Sequence, residues 1–522
     1  MKFPRWIAAL GAILVIVGFL PAQEPQKTIQ LTLDECIVRA LKHNIGIQVA
    51  VLGPETSALS VQKAQEKFYP TFSFGYSKRK SSSASYSWLE AQGTNLTDTN
   101  NYSASVRETI PLGGNLTIGL TSAFSDTNRI GTTINPSYNS QLQFSFNQPL
   151  LKDFGTKWTQ RDIVVARNNL DVSEIQFAKT VQDTIYSVTQ AYWNLVYSIE
   201  NLKVQQKSLQ LAKDFLAKNK RAVEIGTLAP MEALAAESEV ASREASILSA
   251  EASVKSNEDQ IKNLLNFTPE EEQGLREIVA LDTPRLDERK IEVEQALLIA
   301  MDKRPDLRIS RINLKSEDLN LGYAKNQLLP GLSLNASYSS PGISGTRLIY
   351  DKPQFGTVIE TIPGFWSDSM KDVFGFKYEN WNIGLTLDVS LSNILSKASY
   401  AQAQISMQTA LLNMKNSERT AILEIRNAVR SLQTSYKLVQ AYKIALELSE
   451  KKLAAEEERL RVGLSTNYVV LQYQRDVTTA RVQQLKAIMD YTVAQSGLER
   501  SMGTLLETKN IKIAELLGNG TK

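Results

Sequence analysis

Two periodicities divide this chain. From about residue 157 to 223 there is neither proline nor glycine, and alanine, glutamine, lysine and leucine dominate. Such a stretch predicts one unbroken helix, which at 1.5 Å per residue would reach roughly 100 Å. The stretch from about 396 to 462 is equally free of both residues. Past Gly226 and Gly463 the helical pattern resumes, over roughly 231–265 and 468–506. Ordinary globular helices are about 11–12 residues long, so these are two long antiparallel hairpins that project. Ala233, Ala235, Ala236, Ala241, Ala245, Ala250 and Ala252 crowd the second arm of the first hairpin. Small side chains let helix axes approach closely, as a packed wall requires.

Elsewhere the period is two. Phe72, Phe74 and Tyr76 alternate with Thr71, Ser73 and Gly75, and Leu116, Ile118, Leu120 and Phe124 with Thr117, Gly119, Thr121 and Ser125. Leu142, Phe144 and Phe146 keep the rule. A later set repeats it: Leu332, Leu334, Ala336 and Tyr338 in one strand, Trp381, Ile383, Leu385, Leu387, Val389 and Leu391 in another. Segments of about ten residues, greasy on one face and small and polar on the other, suit the wall of a transmembrane β-barrel. A half-buried soluble sheet gives the same alternation; the rod-like helices and the leader described below favour the barrel. The tight turn Pro111-Leu112-Gly113-Gly114 closes a hairpin of 101–110 and 115–125. With that hairpin the chain supplies six strands, without it four. Neither number closes a membrane barrel, so several chains must share one. Three chains give 18 strands, or 12 if the hairpin lies outside the wall.

The two sets are copies of one unit. Leu33-Asp34-Glu35-Cys36-Ile37-Val38-Arg39-Ala40 returns in type as Val293-Glu294-Gln295-Ala296-Leu297-Leu298-Ile299-Ala300, and Tyr69-Pro70 as Leu329-Pro330, both at a spacing of 260 positions. Gly226-Thr227-Leu228 answers to Gly463-Leu464-Ser465 at a spacing of 237. A leading helix, strands and a helix hairpin make up each copy. The predicted organisation is a first repeat over 23–266, a linking segment over 267–290, a second repeat over 291–507 and a tail over 508–522. Each copy is too extended to bury a core of its own, which argues against the several domains that length alone suggests.

Composition narrows the setting. Lys2 and Arg5 precede an apolar run from Trp6 to Leu20, then Pro21-Ala22-Gln23, which reads as a cleaved secretory leader over 1–22. No cysteine stands at the cleavage point, so a lipid-anchored N-terminus is not supported. Past residue 22 no apolar run is long enough to cross a bilayer as a helix, so a membrane role must use strands. Apolar residues make up 43 % of the chain, charged ones 22 %, and the net charge is +3, which gives no electrostatic case for nucleic acid. Cys36 and His43 are the only residues of their kinds. They cannot form an ordinary zinc site or an oriented Cys–His pair. No Gly-x-x-x-x-Gly-Lys loop occurs. Glu456-Glu457-Glu458 share a helix with Lys451, Lys452 and Arg459 and read as a solvated charged face. An enzyme, a metal centre and a cofactor are not expected.

The whole pattern resembles the TolC-type outer-membrane factor family. The residues that carry the likeness are the leading helices ending in Tyr69-Pro70 and Leu329-Pro330, the strand-to-helix exit Gln148-Pro149-Leu150-Leu151-Lys152-Asp153-Phe154-Gly155, and two hairpin tips. The tips read Arg221-Ala222-Val223-Glu224-Ile225-Gly226-Thr227-Leu228 and Arg459-Leu460-Arg461-Val462-Gly463-Leu464-Ser465-Thr466. The resemblance implies a mixed α and β fold: a homotrimer whose outer-membrane β-barrel continues into a long α-helical periplasmic barrel. It further implies a passive duct whose tips dock a periplasmic adaptor linked to an inner-membrane pump, for efflux or type I secretion. On that basis Gly226, Thr227, Leu228, Gly463, Leu464 and Ser465 are the docking candidates, although both glycines would be needed for the turn even without a partner. The segment joining the copies and the C-terminal tail would form a collar around the tunnel.

Three departures stand out. Many members carry two acids just past the second tip, ringing the periplasmic entrance; here Val469 and Gln472 take those places. Glu232, equivalent to Val469 in the first copy, either supplies charge there or is a solvated helix-start acid. Gly53-Pro54 has no counterpart in the second copy and predicts a kink. The hairpin of 101–125 is the third departure. The competing interpretation is a periplasmic or surface coiled-coil rod with a soluble sheet. Cargo, whether drug, metal ion or protein, is not written in the chain.

Overall fold

The first helix begins with a reciprocal cap: Thr32 Oγ1 accepts the Glu35 amide at 3.3 Å, and the Glu35 carboxylate accepts the Thr32 amide at 2.8 Å. The computed structural model describes residues 27–85, 93–273, 275–284, 286–351 and 357–518, and the expected leader over 1–22 lies outside them. β1 (Lys27–Leu31), α1 (Leu33–His43) and α2 (Ile45–Gln65) lead into β2 (Thr71–Ala84), β3 (Thr94–Thr109), β4 (Asn115–Thr127) and β5 (Ile134–Pro149). α3 (Thr156–Thr159), the long α4 (Arg161–Glu224), α5 (Pro230–Leu265), α6 (Pro269–Gln273) and β6 (Leu275–Ala280) follow. Then come α7 (Val293–Lys303), α8 (Pro305–Asn326), β7 (Gly331–Tyr350), β8 (Val358–Ile362), α9 (Trp366–Phe374), β9 (Asn380–Asp388), α10 (Ile394–Arg461) and α11 (Asn467–Met502). α12 (Leu505–Thr508) and α13 (Ile513–Gly518) close the described chain.

All long strands join one antiparallel sheet, in the order β2-β3-β4-β5-β7-β9, with β8 on the far end of β7. The β3–β4 hairpin, expected over 101–110 and 115–125, is longer and sits inside this sheet between β2 and β5. Its turn is anchored to the strand-to-helix exit: the Leu112 carbonyl accepts from the Gly155 amide and from Gln148 Nε2, each at 3.1 Å. Gly113, at φ +96°, lies so close that a Cβ would sit 2.6 Å from the Asp153 carbonyl.

α4 has 64 residues and α10 has 68, so each extends roughly 100 Å. They are the two long staves of a wall. Toward the hairpin tips the packing order is α5, α4, α11, α10; toward the sheet it is α2, α4, α8, α10. Thus α11 and α8 meet end to end between the staves, and α5 and α2 meet along the outer side of α4. Ser208 Oγ to Thr478 Oγ1 (3.0 Å) ties the lower layer, and Asn168 Nδ2 to Ser316 Oγ (2.9 Å) the upper.

The largest core lies where the layers change. Phe177, Val181, Ile185, Val188, Tyr192 and Leu195 of α4 pack against Cys36, Ile37 and Ala40 of α1, against Ile278 of β6, and against Leu505 near the C-terminus. Each such aliphatic side chain contributes roughly 1.5–3 kcal/mol by burial. β1 pairs in parallel with β6 across this core. Tyr192 Oη donates to the Leu31 carbonyl at 3.2 Å and accepts the Asp282 amide at 3.2 Å, fastening both flanking segments to the middle of α4. Burial pushes the Cys36 thiol up to about 12, so it is inert. A second core joins Ala296 and Ala300 of α7 to Ile425, Val429, Leu432, Tyr491 and Leu498 of α10 and α11.

Several expectations need correction. The leading helix is broken at Asn44, and its counterpart at Arg304, neither of which was expected, while α2 stays helical through Gly53-Pro54. The reason is local, since Asn44 Oδ1 accepts the Ile47 amide at 3.2 Å and starts a new helix. α11 stops at Met502 rather than near 506, because Gly503 takes φ +76° and packs against the Lys303 carbonyl, where a Cβ would lie 2.8 Å away. Val389 and Leu391 fall beyond β9, and β8 and α9 were not foreseen.

The two interruptions make matching contacts. Asn44 Nδ2 donates to the Leu264 carbonyl in the last turn of α5 at 2.9 Å, and Arg304 Nη1 donates to the Ser501 carbonyl in the last turn of α11 at 3.1 Å. Arg304, itself buried, also binds Asp306 (2.8 and 3.0 Å) and Glu424 of α10 (2.7 Å). Burial works against the Asp306 carboxylate, but the hydrogen bonds and charge of Arg304 prevail and hold its pKa below the ordinary value. A depressed folded pKa contributes stability above the ordinary carboxylate range and loses it as pH falls through the folded value. Acidification from about pH 5 to about pH 2 should therefore lower the melting temperature of the native protein more steeply than that of Asp306→Asn, and equal slopes by circular dichroism would refute the linkage.

Candidate functional site: the two-faced sheet and the hairpin tips

The register aligns the sheet's side chains into rows of one kind. Phe72, Val106, Ile118, Phe144, Tyr338 and Trp381 are successive cross-strand partners from one edge of the sheet to the other. One residue along, the row is Thr71, Arg107, Thr117, Ser145, Ser337 and Asn382. The next polar row is Ser73, Ser105, Gly119, Gln143, Ser339 and Asn380. Over the rows nearer the helices one face is thus apolar and the other polar, and among the described residues nothing covers most of the apolar one: Phe72 and Phe74 are each 68 % exposed and Trp381 is 72 % exposed. β2 and β9 end the sheet with long open edges. The helix wall ends the same way. Val49, Leu52 and Leu59 on α2, Leu248 on α5, and Ile405, Leu412, Leu423, Ile444 and Leu448 on α10 are all exposed.

At the opposite end the two hairpin tips have one geometry. Gly226 (φ +79°) and Gly463 (φ +74°) reverse the chain. The Gly226 amide donates to the Val223 carbonyl at 2.9 Å and the Gly463 amide to the Leu460 carbonyl at 3.1 Å. The following amides, of Thr227 and Leu464, return to Ala222 (2.9 Å) and Arg459 (2.8 Å), satisfying the last carbonyls of α4 and α10. Thr227 and Leu464 are exposed, Leu464 at 70 %, and so is Ile225 of the first tip, at 75 %. Leu228 and Ser465 are half-buried.

Ser465 is not free. Its hydroxyl donates to Glu456, which is buried and also pairs with Arg459 at 3.1 Å. The acid triplet was read as a solvated face; Glu456 is instead an internal brace of the second tip. Its position seven residues before Gly463, two helical turns below the tip and on the same side, was the available signal. A second missed group lies deeper: Arg243 and Glu239 of α5 pair at 2.9 Å, both nearly buried, and Arg475 of α11 approaches Glu239 at 3.7 Å. Burial lowers the Arg243 pKa, against the opposing pull of Glu239. Glu232 and Val469 occupy equivalent half-buried places one turn past the tips, and Gln472 is exposed. Among the described residues no three His, Cys, Asp or Glu side chains gather as a metal site. A cleft of about 580 Å³ between α4, α10 and α11 is lined by Gln190, Asn194, Asn427, Arg430 and Asp490 together with apolar side chains such as Leu438 and Val493.

A family model described as "Outer membrane efflux protein" matches residues 36–266 and 297–504. The chain belongs to that family. It is 23 % identical over 366 residues to outer membrane protein TolC of Vibrio cholerae, covering 70 % of this chain and 76 % of that one. It is 22 % identical over 362 residues to TolC of Escherichia coli, covering 67 % of each. Among solved structures, the CmeC outer membrane channel of Campylobacter jejuni shares the fold with a TM-score of 0.65 at 17 % identity, over 94 % of this chain and 89 % of that one. Membership in the outer membrane efflux protein family places the chain in the outer membrane, and among channels rather than enzymes.

The tip geometry makes a local prediction. Nothing lies within 4 Å of a Cβ built at Gly463, so Gly463→Ala strains only the backbone and should cost about 1 kcal/mol. Hydrogen exchange at the amides of Gly463 and Leu464 should then accelerate roughly fivefold, while the core amides around Tyr192 keep their rates. Unchanged exchange at the tip would show that the left-handed turn is not what closes it.

Proposed function

We propose that three copies of this chain form a passive exit duct. The polar face of each sheet lines a shared water-filled barrel, the apolar face meets lipid, and the helix walls continue the passage into the periplasm. One observation carries this reading: a two-faced sheet with both long edges open cannot be satisfied in a membrane except by closing on copies of itself. β2 of one protomer would pair with β9 of the next, and the apolar flank of α10 would pack on α2 and α5 of its neighbour. Since six long strands lie in one sheet, three protomers supply 18 strands. We further take the chain to be two copies of one unit, a reading supported by the matching contacts of Asn44 and Arg304 and by the matching tips.

The tips would dock a periplasmic adaptor, with Ile225, Thr227 and Leu464 offering the exposed surface and Gly226 and Gly463 the shape, while Leu228 and Ser465 support them from within. The adaptor would connect to an inner-membrane pump that supplies the energy, and cargo would be selected there. Opening would splay the hairpins, a shift between two populated arrangements biased by the adaptor. The entrance would lack the acidic ring of its relatives, because Val469 and Gln472 are uncharged.

Purified protein in a planar bilayer should show discrete conductance and a trimeric mass in detergent. A monomer without conductance would end the duct reading. Leu464→Asp should abolish capture of a periplasmic adaptor that binds the native protein, without changing conductance; retained capture would remove Leu464 from the docking surface. Trivalent cations added on the tip side should leave the current unchanged, whereas Val469→Asp with Gln472→Asp should make it blockable. Block of the native channel would instead assign an acidic ring to Glu232.

A further inference from the structure

α9 lies on the apolar face of the sheet, near its end remote from the helices. The row it crosses runs Tyr76, Tyr102, Ser122, Ser140 and Gly342. Here the face changes from greasy to small and polar under the helix, and each hydroxyl is used. Trp366 Nε1 donates to Ser122 Oγ at 2.9 Å, Ser369 Oγ and Ser140 Oγ share a hydrogen bond at 2.9 Å, and Ser340 Oγ donates to the Val373 carbonyl at 2.8 Å. Any side chain at Gly342 would collide with the Ser369 carbonyl, so the helix rests flat on the strands.

The sheet side of this helix holds Ser369 and Val373, both fully buried, while Ser367 and Lys371 are exposed. A short surface helix in water turns apolar residues toward the sheet and hydroxyls outward. α9 departs from this in leaving Phe365 at its N-cap 66 %, Trp366 50 % and Phe374 57 % exposed. Phe376 and Tyr378, just past it, are exposed too, and Phe376 stacks on Tyr338 with ring centroids 6.2 Å apart. Its charges are neutralised in pairs, Asp368 with Lys371 at 3.3 Å and Asp372 with Lys377 at 3.0 Å. At the same level on β2 and β3, Tyr76 and Tyr102 pack at 5.1 Å, and directly beyond them the face becomes charged with Lys78, Lys80 and Asp98. Aromatic rings followed by charges mark the boundary between hydrocarbon and headgroups. Nine residues span only about 14 Å, so the helix lies in the membrane plane and does not cross it.

We propose that α9 is an in-plane anchor whose outer side, Phe365, Trp366 and Phe374, is covered by lipid at the outer headgroup boundary, and that it fixes the depth of the sheet. This rests on the barrel reading above. The occupant is lipid because the patch continues the apolar face of a chain placed in the outer membrane, and because rings followed by charges on β2 and β3 lie at the same level.

The test is depth-dependent fluorescence quenching of the full-length protein in vesicles of phosphatidylcholine brominated near the headgroup or near the chain end. Emission of Trp366 is obtained by difference from Trp366→Phe, and that of Trp381, two rows deeper in the apolar band, by difference from Trp381→Phe. Trp366 should lose most of its emission to shallow bromine and little to deep bromine, with Trp381 quenched by deep bromine. Quenching of Trp381 but not Trp366 overturns the anchor and leaves the barrel standing. Quenching of neither overturns both. If Trp366→Phe does not fold, a nitroxide on Phe374→Cys gives the same answer, because Cys36 is buried and stays unlabelled. That probe should collide with oxygen and be shielded from an aqueous nickel chelate, and the reverse order refutes the proposal.

Discussion

Backbone hydrogen bonds leave a membrane sheet no free choice of ending. Water can pair with the open amides and carbonyls of a soluble edge strand; hydrocarbon cannot, and each unmet group costs several kcal/mol. In this chain β2 and β9 each present such an edge while the face between them is apolar from strand to strand. The same incompleteness runs down the helices, where α10 on one flank and α2 with α5 on the other carry exposed leucine, isoleucine and valine. Edge and flank lie on the same sides of the molecule, so one symmetric association satisfies both. Oligomerisation in the proposed duct is therefore a condition of the fold and not an addition to it.

What the sequence displays depends on whether a feature is set by period or by a particular contact. The long helices are legible because proline and glycine are missing over whole stretches, and the strands because Phe72, Phe74 and Tyr76, or Trp381, Ile383 and Leu385, keep strict alternation. The turn at Pro111–Gly114 pairs β3 with β4, but that the hairpin sits between β2 and β5, and that β5 meets β7, is visible only in the register. Contacts are not legible in that way. Nothing in the pattern marks Asn44, which breaks the helix by accepting one amide and reaching one carbonyl, while α2 stays helical through Gly53-Pro54. Gly503 ends α11 four residues early because a carbonyl from the α7–α8 junction occupies the space. α9 is not legible because nine residues, with serine and charge on more than one side, are too few to display a period.

The candidate docking residues show the same division. The reversals at Gly226 and Gly463 could be placed from the glycine alone, since a tight return of a helix requires positive φ. That Ser465 is held by Glu456, and that Glu456 is buried inside a triplet that looks solvated, could not. Charged side chains on long helices are ambiguous until their neighbours are known, because the same Glu and Arg serve a wet face or a closed brace. Arg304 makes the point at the opposite extreme: one arginine beside a proline binds three separate helices where the wall changes layers.

The width of the proposed duct offers a final consistency between its two materials. Four helices stand side by side at every level of one chain, so three chains make a ring of 12, and at about 9.5 Å between axes its circumference is roughly 114 Å. Strands spaced about 4.8 Å apart and tilted near 40° occupy roughly 6.3 Å each along the circumference. Twelve of them would enclose roughly 75 Å and force a sharp taper where sheet meets helix, whereas 18 enclose roughly 113 Å. The β3–β4 hairpin thus brings the sheet to the girth of the helical ring. Its turn is pinned to the Gly155 exit where α3 and α4 begin, at the junction where such a mismatch would otherwise be absorbed.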